Sequence, residues 1–158
     1  MSNAESALAK VEHIVVLMLE NRSFDHMLGY LSLEGGRDDI DGLQAGMAND
    51  YGGRSYPIHH LDRTAFEPVE DPDHSGEATS VQIAGGAMNG FVHAVDRSGS
   101  NGRQAMGYYD DSSIPYYWNL ADKYVLFDRF FSSSQGSRQI SRNAAKCFSA
   151  PATSPTSR

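Results

Sequence analysis

The sequence predicts an α/β layered fold, and three observations lead to it. Ile14-Val-Val-Leu-Met-Leu19 is a continuous apolar run, β-branched at its start and bounded by charged residues, as suits a strand buried on both faces of a parallel sheet. A turn at Glu20-Asn21-Arg22 leads through Ser23 as N-cap into a helix. Its Phe24, Met27, Leu28 and Leu31 keep i, i+3, i+4, i+7 spacing, and it ends at Gly35-Gly36. Far downstream, Tyr124-Val-Leu-Phe-Asp-Arg-Phe-Phe131 is aromatic and branched and reads as a second strand. Helices interleaved with buried strands are the signature of α/β layers.

Between these ends the elements are sparser. Arg37 to Gly86 is rich in Gly, Asp, Pro and His, which predicts a long excursion of loops with room for one short hairpin. Met88 to Val95 is short and amphipathic enough for a helix. Ile114-Pro-Tyr-Tyr-Trp-Asn-Leu-Ala-Asp-Lys123 reads as another, capped by Ser113. There is no internal repeat.

Composition narrows the function classes. The 158 residues fit one globular domain, and 13 Lys+Arg against 20 Asp+Glu give a net charge of −7. Such a balance disfavours non-specific binding to nucleic acid or to an anionic membrane surface. The single cysteine, Cys147, cannot form an internal disulfide and offers no thiolate cluster, so a metal here must be held by oxygen and imidazole. Ile14–Leu19 falls far short of the roughly 20 apolar residues a membrane-spanning helix needs. Residues 1–10 lack the basic and apolar regions of an export signal and read as a disordered N-terminus or tag remnant. Asp128 is the last acidic residue. From Phe130 onward the charges are Arg138, Arg142, Lys146 and Arg158, and the chain becomes rich in Ser, Ala and Pro.

Ligand sites in open α/β sheets gather at the carboxyl ends of strands, and Glu20 and Asn21 stand at such an end. Neighbouring strand residues point to opposite faces, so both reach one ion only where the chain is already turning. A carboxylate and an amide oxygen are hard donors suited to Ca²⁺, Mg²⁺ or Mn²⁺, and they need further ligands from elsewhere. On spacing alone, a simple strand-to-helix turn is the better reading of the pair. Asp25 and His26, in the first helical turn, read as a favourable dipole charge and a partly exposed imidazole.

The run Val11-Glu-His-Ile-Val-Val-Leu-Met-Leu-Glu-Asn-Arg-Ser-Phe-Asp-His-Met-Leu-Gly29 resembles the opening signature of the phosphoesterase family, which includes bacterial phospholipases C and a class of acid phosphatases. The resemblance continues, in order, through Asp71-Pro-Asp-His-Ser75, Met88-Asn-Gly-Phe-Val92, Met106-Gly-Tyr-Tyr109, Ile114-Pro-Tyr-Tyr-Trp118 and Asp128-Arg-Phe-Phe-Ser-Ser133. It implies a three-layer α/β/α sandwich resembling alkaline phosphatase, present here in part. It also implies Glu20 and Asn21 as ligands of a divalent metal of unassigned identity, with His74 contacting the phosphate. The expected partner is a phosphoester substrate, either a phospholipid or a soluble phosphate ester. Family members attack with a metal-activated Ser or Thr and pass through a phospho-enzyme.

The pattern breaks after Ser133. Where the family places its nucleophile motif, this chain reads Gly136-Ser-Arg-Gln-Ile-Ser-Arg142, and Arg138 falls where the hydroxyl should be. A guanidinium, always charged, cannot act as nucleophile, and neither Ser137 nor Ser141 is in register. Residues 11–133 thus read as the N-terminal part of a phosphoesterase domain, and 134–158 as an atypical tail, out of frame or disordered. A shifted reading from Ser137 gives a more family-like continuation, which sequencing the encoding DNA checks. His59-His60 with Asp62 reads as surface loop, and the aromatic group Tyr108, Tyr109, Tyr116, Tyr117 and Trp118 as core packing rather than a lipid pocket. The leading expectation is a truncated metal-dependent phosphoesterase with little turnover of its own. The rival is a non-catalytic fragment that binds metal or a partner only. A serine hydrolase ranks last, for want of a Gly-x-Ser-x-Gly elbow.

Overall fold

The computed structural model describes residues 10–13, 15, 17, 22–61, 72–97, 99 and 101–131. Its elements run α1 (Phe24–Met27), α2 (Tyr30–Leu33), β1 (Ala48–Tyr51), β2 (Arg54–Pro57), β3 (His59–His60), α3 (Gly76–Ile83), α4 (Phe91–Arg97), β4 (Gly107–Tyr108) and α5 (Pro115–Lys123). Short 3-10 turns lie at Ala84–Gly86 and Gly102–Met106. This mixture of helices and small sheets agrees with an α/β class.

The expected first helix is present but divided. Ser23 caps α1 as expected, its hydroxyl accepting from the His26 amide at 3.1 Å. The helix then breaks at Leu28-Gly29, because the Gly29 carbonyl turns aside to accept from the Leu43 amide at 3.0 Å and the Ser32 hydroxyl at 2.9 Å. Gly29 permits that approach: a Cβ there would sit 2.6 Å from Asp25 Cα and 2.8 Å from Leu43 Cγ. The same loop residue contributes to the core, where Tyr30, Leu31, Leu43, Tyr108 and Ala121 cluster with Leu28, Leu33, Ile40, Ile58 and Leu126 around them.

The loop-rich stretch does contain one hairpin. β1 and β2 pair antiparallel across Gly52-Gly53, whose φ values of 59° and 77° are those of a tight primed turn that glycine adopts without strain. It also contains α3, which the sequence does not announce: Thr79, Val81 and Ile83 are β-branched and the helix has no sharp apolar stripe. Ser75 starts it by accepting from the Ala78 amide at 3.1 Å. β3 pairs parallel with β4, matching His59 to Gly107 and His60 to Tyr108.

Asn49, buried in β1, joins the hairpin to a distant helix. Its side-chain oxygen accepts from the Phe91 amide at 3.0 Å and the Val92 amide at 3.4 Å, capping α4 from another part of the chain. Val92 beneath it is 1% exposed. Asn49→Ala would leave those amides unsatisfied and is expected to cost about 1–3 kcal/mol, read as a lower urea midpoint. Asn49→Asp keeps the acceptor and recovers part of the loss.

Four expectations are corrected. The helix expected over 88–95 begins later, at Phe91, because Met88 sits at φ 51° and turns the chain before it. α5 starts on Pro115 with Ile114 at its cap position rather than under a Ser113 cap, proline being suited to the first helical position. No strand forms over 124–131. Asp128 accepts from the Asp41 amide at 2.8 Å and Arg129 pairs with the Asp41 carboxylate at 2.8 Å, tying a bend in the segment to Asp41 while Phe130 stays 83% exposed. Of the strand expected over 14–19, the described residues are Val15 and Leu17, which lie in no strand and are 91% and 80% exposed. The rest of that run lies outside the described residues, as do residues 1–9 and 132–158. A strand needs a hydrogen-bonding neighbour, and among the described residues neither segment has one.

Candidate functional site

Glu20 and Asn21, the expected metal ligands, lie outside the described residues. So do Asp62, Ser137, Arg138, Ser141 and Cys147. Among the described residues, no group of three or more His, Cys, Asp or Glu is placed to hold a metal ion. The donor set for a cation would therefore rest on Glu20 and Asn21 with oxygens from elsewhere.

The turn that follows the pair is described, and His26 anchors it. Its Nδ1 lies 3.0 Å from the Gly107 carbonyl, which can only accept, so Nδ1 carries the proton. In return the Tyr109 amide donates to the His26 carbonyl at 3.0 Å, and the Tyr109 ring meets the imidazole edge-on at 4.9 Å. Nε2 is buried without a partner among the described residues. His26, partly exposed as expected, is thus also a structural tie between α1 and β4. Burial, then the Arg22 charge, lower its pKa, against the opposing Gly107 bond.

That shift has a sign. A histidine lowered in the fold favours the neutral ring, so its contribution to stability is present above the ordinary value of about 6.5 and is lost as pH falls through the folded value. The expected result is that wild type loses more stability than His26→Gln on acidification from neutral pH, measured by paired urea titrations.

His74 sits half-buried at the threshold of α3. On one side Asp73 accepts from the Ser75 amide at 2.8 Å and the Ser75 hydroxyl at 3.0 Å, bonds that hold the Asp73 carboxyl below its ordinary range, with His74 adding a smaller attraction. A shallow pocket of about 100 Å³ opens nearby between α3 and α4, walled by Asp73, Glu77, Ala78, Val81, Ala94 and Arg97, and His74 is not in its wall. The Arg97 guanidinium pairs there with Glu77. Drug-sized ligands occupy clefts of about 300 Å³ or more, so this pocket does not enclose a substrate of that size.

A second group of polar side chains was not legible as a site. His60, expected on a surface loop, is met by Glu34 Oε1 at 3.0 Å from Nε2 and by Asp110 Oδ2 at 3.3 Å from Nδ1. The Tyr108 hydroxyl donates to the same Glu34 oxygen at 2.8 Å, and burial together with that bond pushes its pKa up to about 12. Only the fold brings these residues together, through the β3–β4 pairing and the end of α2. The aromatic group expected in the core is split: Tyr108 is buried, whereas Tyr116 is exposed and Trp118 is 39% exposed.

Comparison with known proteins adds to this geometry. The family model described as the phosphoesterase family matches residues 11–154. Phospholipase C B of Mycobacterium tuberculosis is 37% identical over 146 residues, covering 82% of this chain and 28% of its own length. Non-specific phospholipase C6 of Arabidopsis thaliana is 33% identical over 139 residues, covering 84% of this chain and 26% of its own. The hemolytic phospholipase C of Pseudomonas aeruginosa is 32% identical over 139 residues, with 80% and 17% covered. The chain thus spans about a quarter, or less, of the length of these relatives. Among the described residues no helix is long and apolar enough to cross a membrane.

Proposed function

The chain belongs to the phosphoesterase family, and from that premise we propose that it is part of a metal-dependent hydrolase of phosphate mono- or diesters, of the phospholipase C or acid phosphatase type. The observation that carries this reading is the family match over 11–154, which includes Glu20 and Asn21 just before Ser23, the cap of α1. Glu20 and Asn21 supply hard oxygen donors that fit a divalent cation. When bound, such a cation stabilises charge on a phosphoryl oxygen and lowers the pKa of an attacking hydroxyl.

This chain's own residues supply the surroundings. His26, fixed by the Gly107 carbonyl, ties the helix after the ligand pair to β4, and His74 offers a nitrogen to a phosphoryl oxygen at the head of α3. Phospholipids and soluble phosphate esters share that phosphoryl group, and either suits the reading. In the same proposal the chain supplies part of a three-layer α/β/α sandwich resembling alkaline phosphatase. Arg138 in the nucleophile register implies little turnover by the chain as it stands.

A second reading, a non-catalytic piece that binds a metal or partner only, is favoured by the exposure of Val15, Leu17, Val125, Phe127, Phe130 and Phe131. One experiment separates the two: p-nitrophenyl phosphate hydrolysis alongside calorimetric titration with Mn²⁺ and Ca²⁺. Turnover that needs metal and Glu20 supports the enzyme. Metal binding without turnover supports the inactive piece, and neither binding nor turnover overturns the metal-centred proposal.

A further inference from the structure

The segment that follows α5 holds large apolar side chains out in water. Tyr124, Val125, Phe127, Phe130 and Phe131 are between 69% and 83% exposed, and the Phe127 and Phe130 rings meet each other at 6.3 Å. Together these five side chains present on the order of 700 Å² of mostly apolar surface, whereas the largest apolar patch of a typical monomer is about 300–600 Å². The segment is nonetheless fastened. The Tyr124 amide donates to the Leu120 carbonyl at 3.0 Å, Leu126 packs on the core, and the Asp128 carboxylate accepts from the Asp41 amide at 2.8 Å. The Arg129 guanidinium adds an ion pair to the Asp41 carboxylate at 2.8 Å.

Fastening of this kind favours association. Ordering a flexible segment is one of the costs of forming an interface, and here the backbone that carries the rings is already held. The area suits a second copy of the chain, because a stable interface takes about 800 Å² from each partner and a two-fold pair uses the same face on both. The charges suit it as well. Whole chains at −7 repel one another, but the groups flanking this face have both signs, with Lys123 and Arg129 beside Asp122, Asp41 and Asp128. A rim of mixed sign lets positive groups face negative ones across a two-fold axis, around an apolar centre.

We propose that residues 124–131 form a self-association face, on which two copies of the chain pair about a two-fold axis with the Phe127 and Phe130 rings at its centre. The pairing concerns assembly and stands apart from the proposed hydrolysis. Because both copies use the same face, the contact closes on itself and growth stops at two chains. An anionic lipid surface, another apolar host for such rings, is opposed by the net charge of −7.

Sedimentation velocity of the 158-residue chain tests the pairing. Between about 1 and about 100 μM, wild type is expected to pass from one chain per particle to two and to stop there. Phe127→Ser combined with Phe130→Ser is expected to weaken the dimer at least about 10-fold, as removal of central aromatic anchors does. Both side chains are exposed, so far-UV circular dichroism and Tm of the variant are expected to match wild type. Sodium sulfate gives a reading that needs no variant: it strengthens apolar burial and screens ionic contacts, so the dimer is expected to tighten. A wild type that stays monomeric throughout, equal association in the double variant, loosening by sulfate, or growth beyond two chains overturns the proposal. A monomer that floats with phosphatidylcholine vesicles also overturns it and gives the face to lipid.

Discussion

Glu20→Ala is expected to abolish measurable binding of a divalent cation, with a loss of more than about 100-fold in affinity. The size follows from donor chemistry. Of the two proposed ligands, Glu20 alone brings a negative charge, and the charge count of the ligand set is what chiefly tunes affinity at oxygen sites. Substitutions of groups that merely orient a ligand already cost about 10- to 100-fold, so losing the carboxylate itself costs more. Asn21→Ala, which removes a neutral oxygen, is expected to weaken binding less. Calorimetric titration with Mn²⁺ checks both, and equal affinity in wild type and Glu20→Ala would remove the site from Glu20 and Asn21. The test matters because the described residues contain no alternative group of ligands.

The largest effect on stability is expected from Gly90→Ala. A Cβ at Gly90 would overlap the Val81 carbonyl oxygen, far inside van der Waals contact, and lie 2.8 Å from its carbon. That obstacle is backbone, in a helix whose neighbouring Gln82 carbonyl already accepts from the Gly90 amide at 3.2 Å, so it cannot move aside as a side-chain tip can. α3 and α4 would have to separate, and Val92 in α4 is among the most buried side chains described. Overpacking of this kind is expected to cost about 3 kcal/mol or more, a large part of the roughly 5–15 kcal/mol that holds a domain together. Gly76→Ala is the control: a Cβ there meets nothing within 4 Å, and its urea midpoint is expected to stay within error or rise slightly.

What the sequence made legible follows the range of the interactions involved. The spacing of Phe24, Met27, Leu28 and Leu31 marks a helical stretch, and Pro115 and the aromatic residues after it mark α5, because both signals are local. The break at Gly29 was not legible, since it depends on Leu43 drawing away a carbonyl. The run 124–131 has the composition of a buried strand, but composition states a capacity to pair and cannot supply the neighbour. Glu20, Asn21 and His74 are proposed through family resemblance, and of the three the structure describes only His74. Glu34 and His60, 26 positions apart, give no joint signal in the sequence because each alone is an ordinary surface residue.

The cap that Asn49 lends to α4 has a bearing on the order in which the chain acquires its structure. Donor and acceptor are 42 positions apart, and α4 has only seven residues, too few to persist as an isolated helix in water. The acceptor emerges first during synthesis, on a hairpin closed by a two-glycine turn that forms without waiting for later sequence. Completing α4 therefore requires the loop between Asn49 and Phe91 to close, and the entropy of that closure enters the cost of forming the helix. Lengthening the segment between them would slow the maturation of this half of the molecule while adding little to its equilibrium cost, since each doubling of a flexible loop costs only about 0.6 kcal/mol.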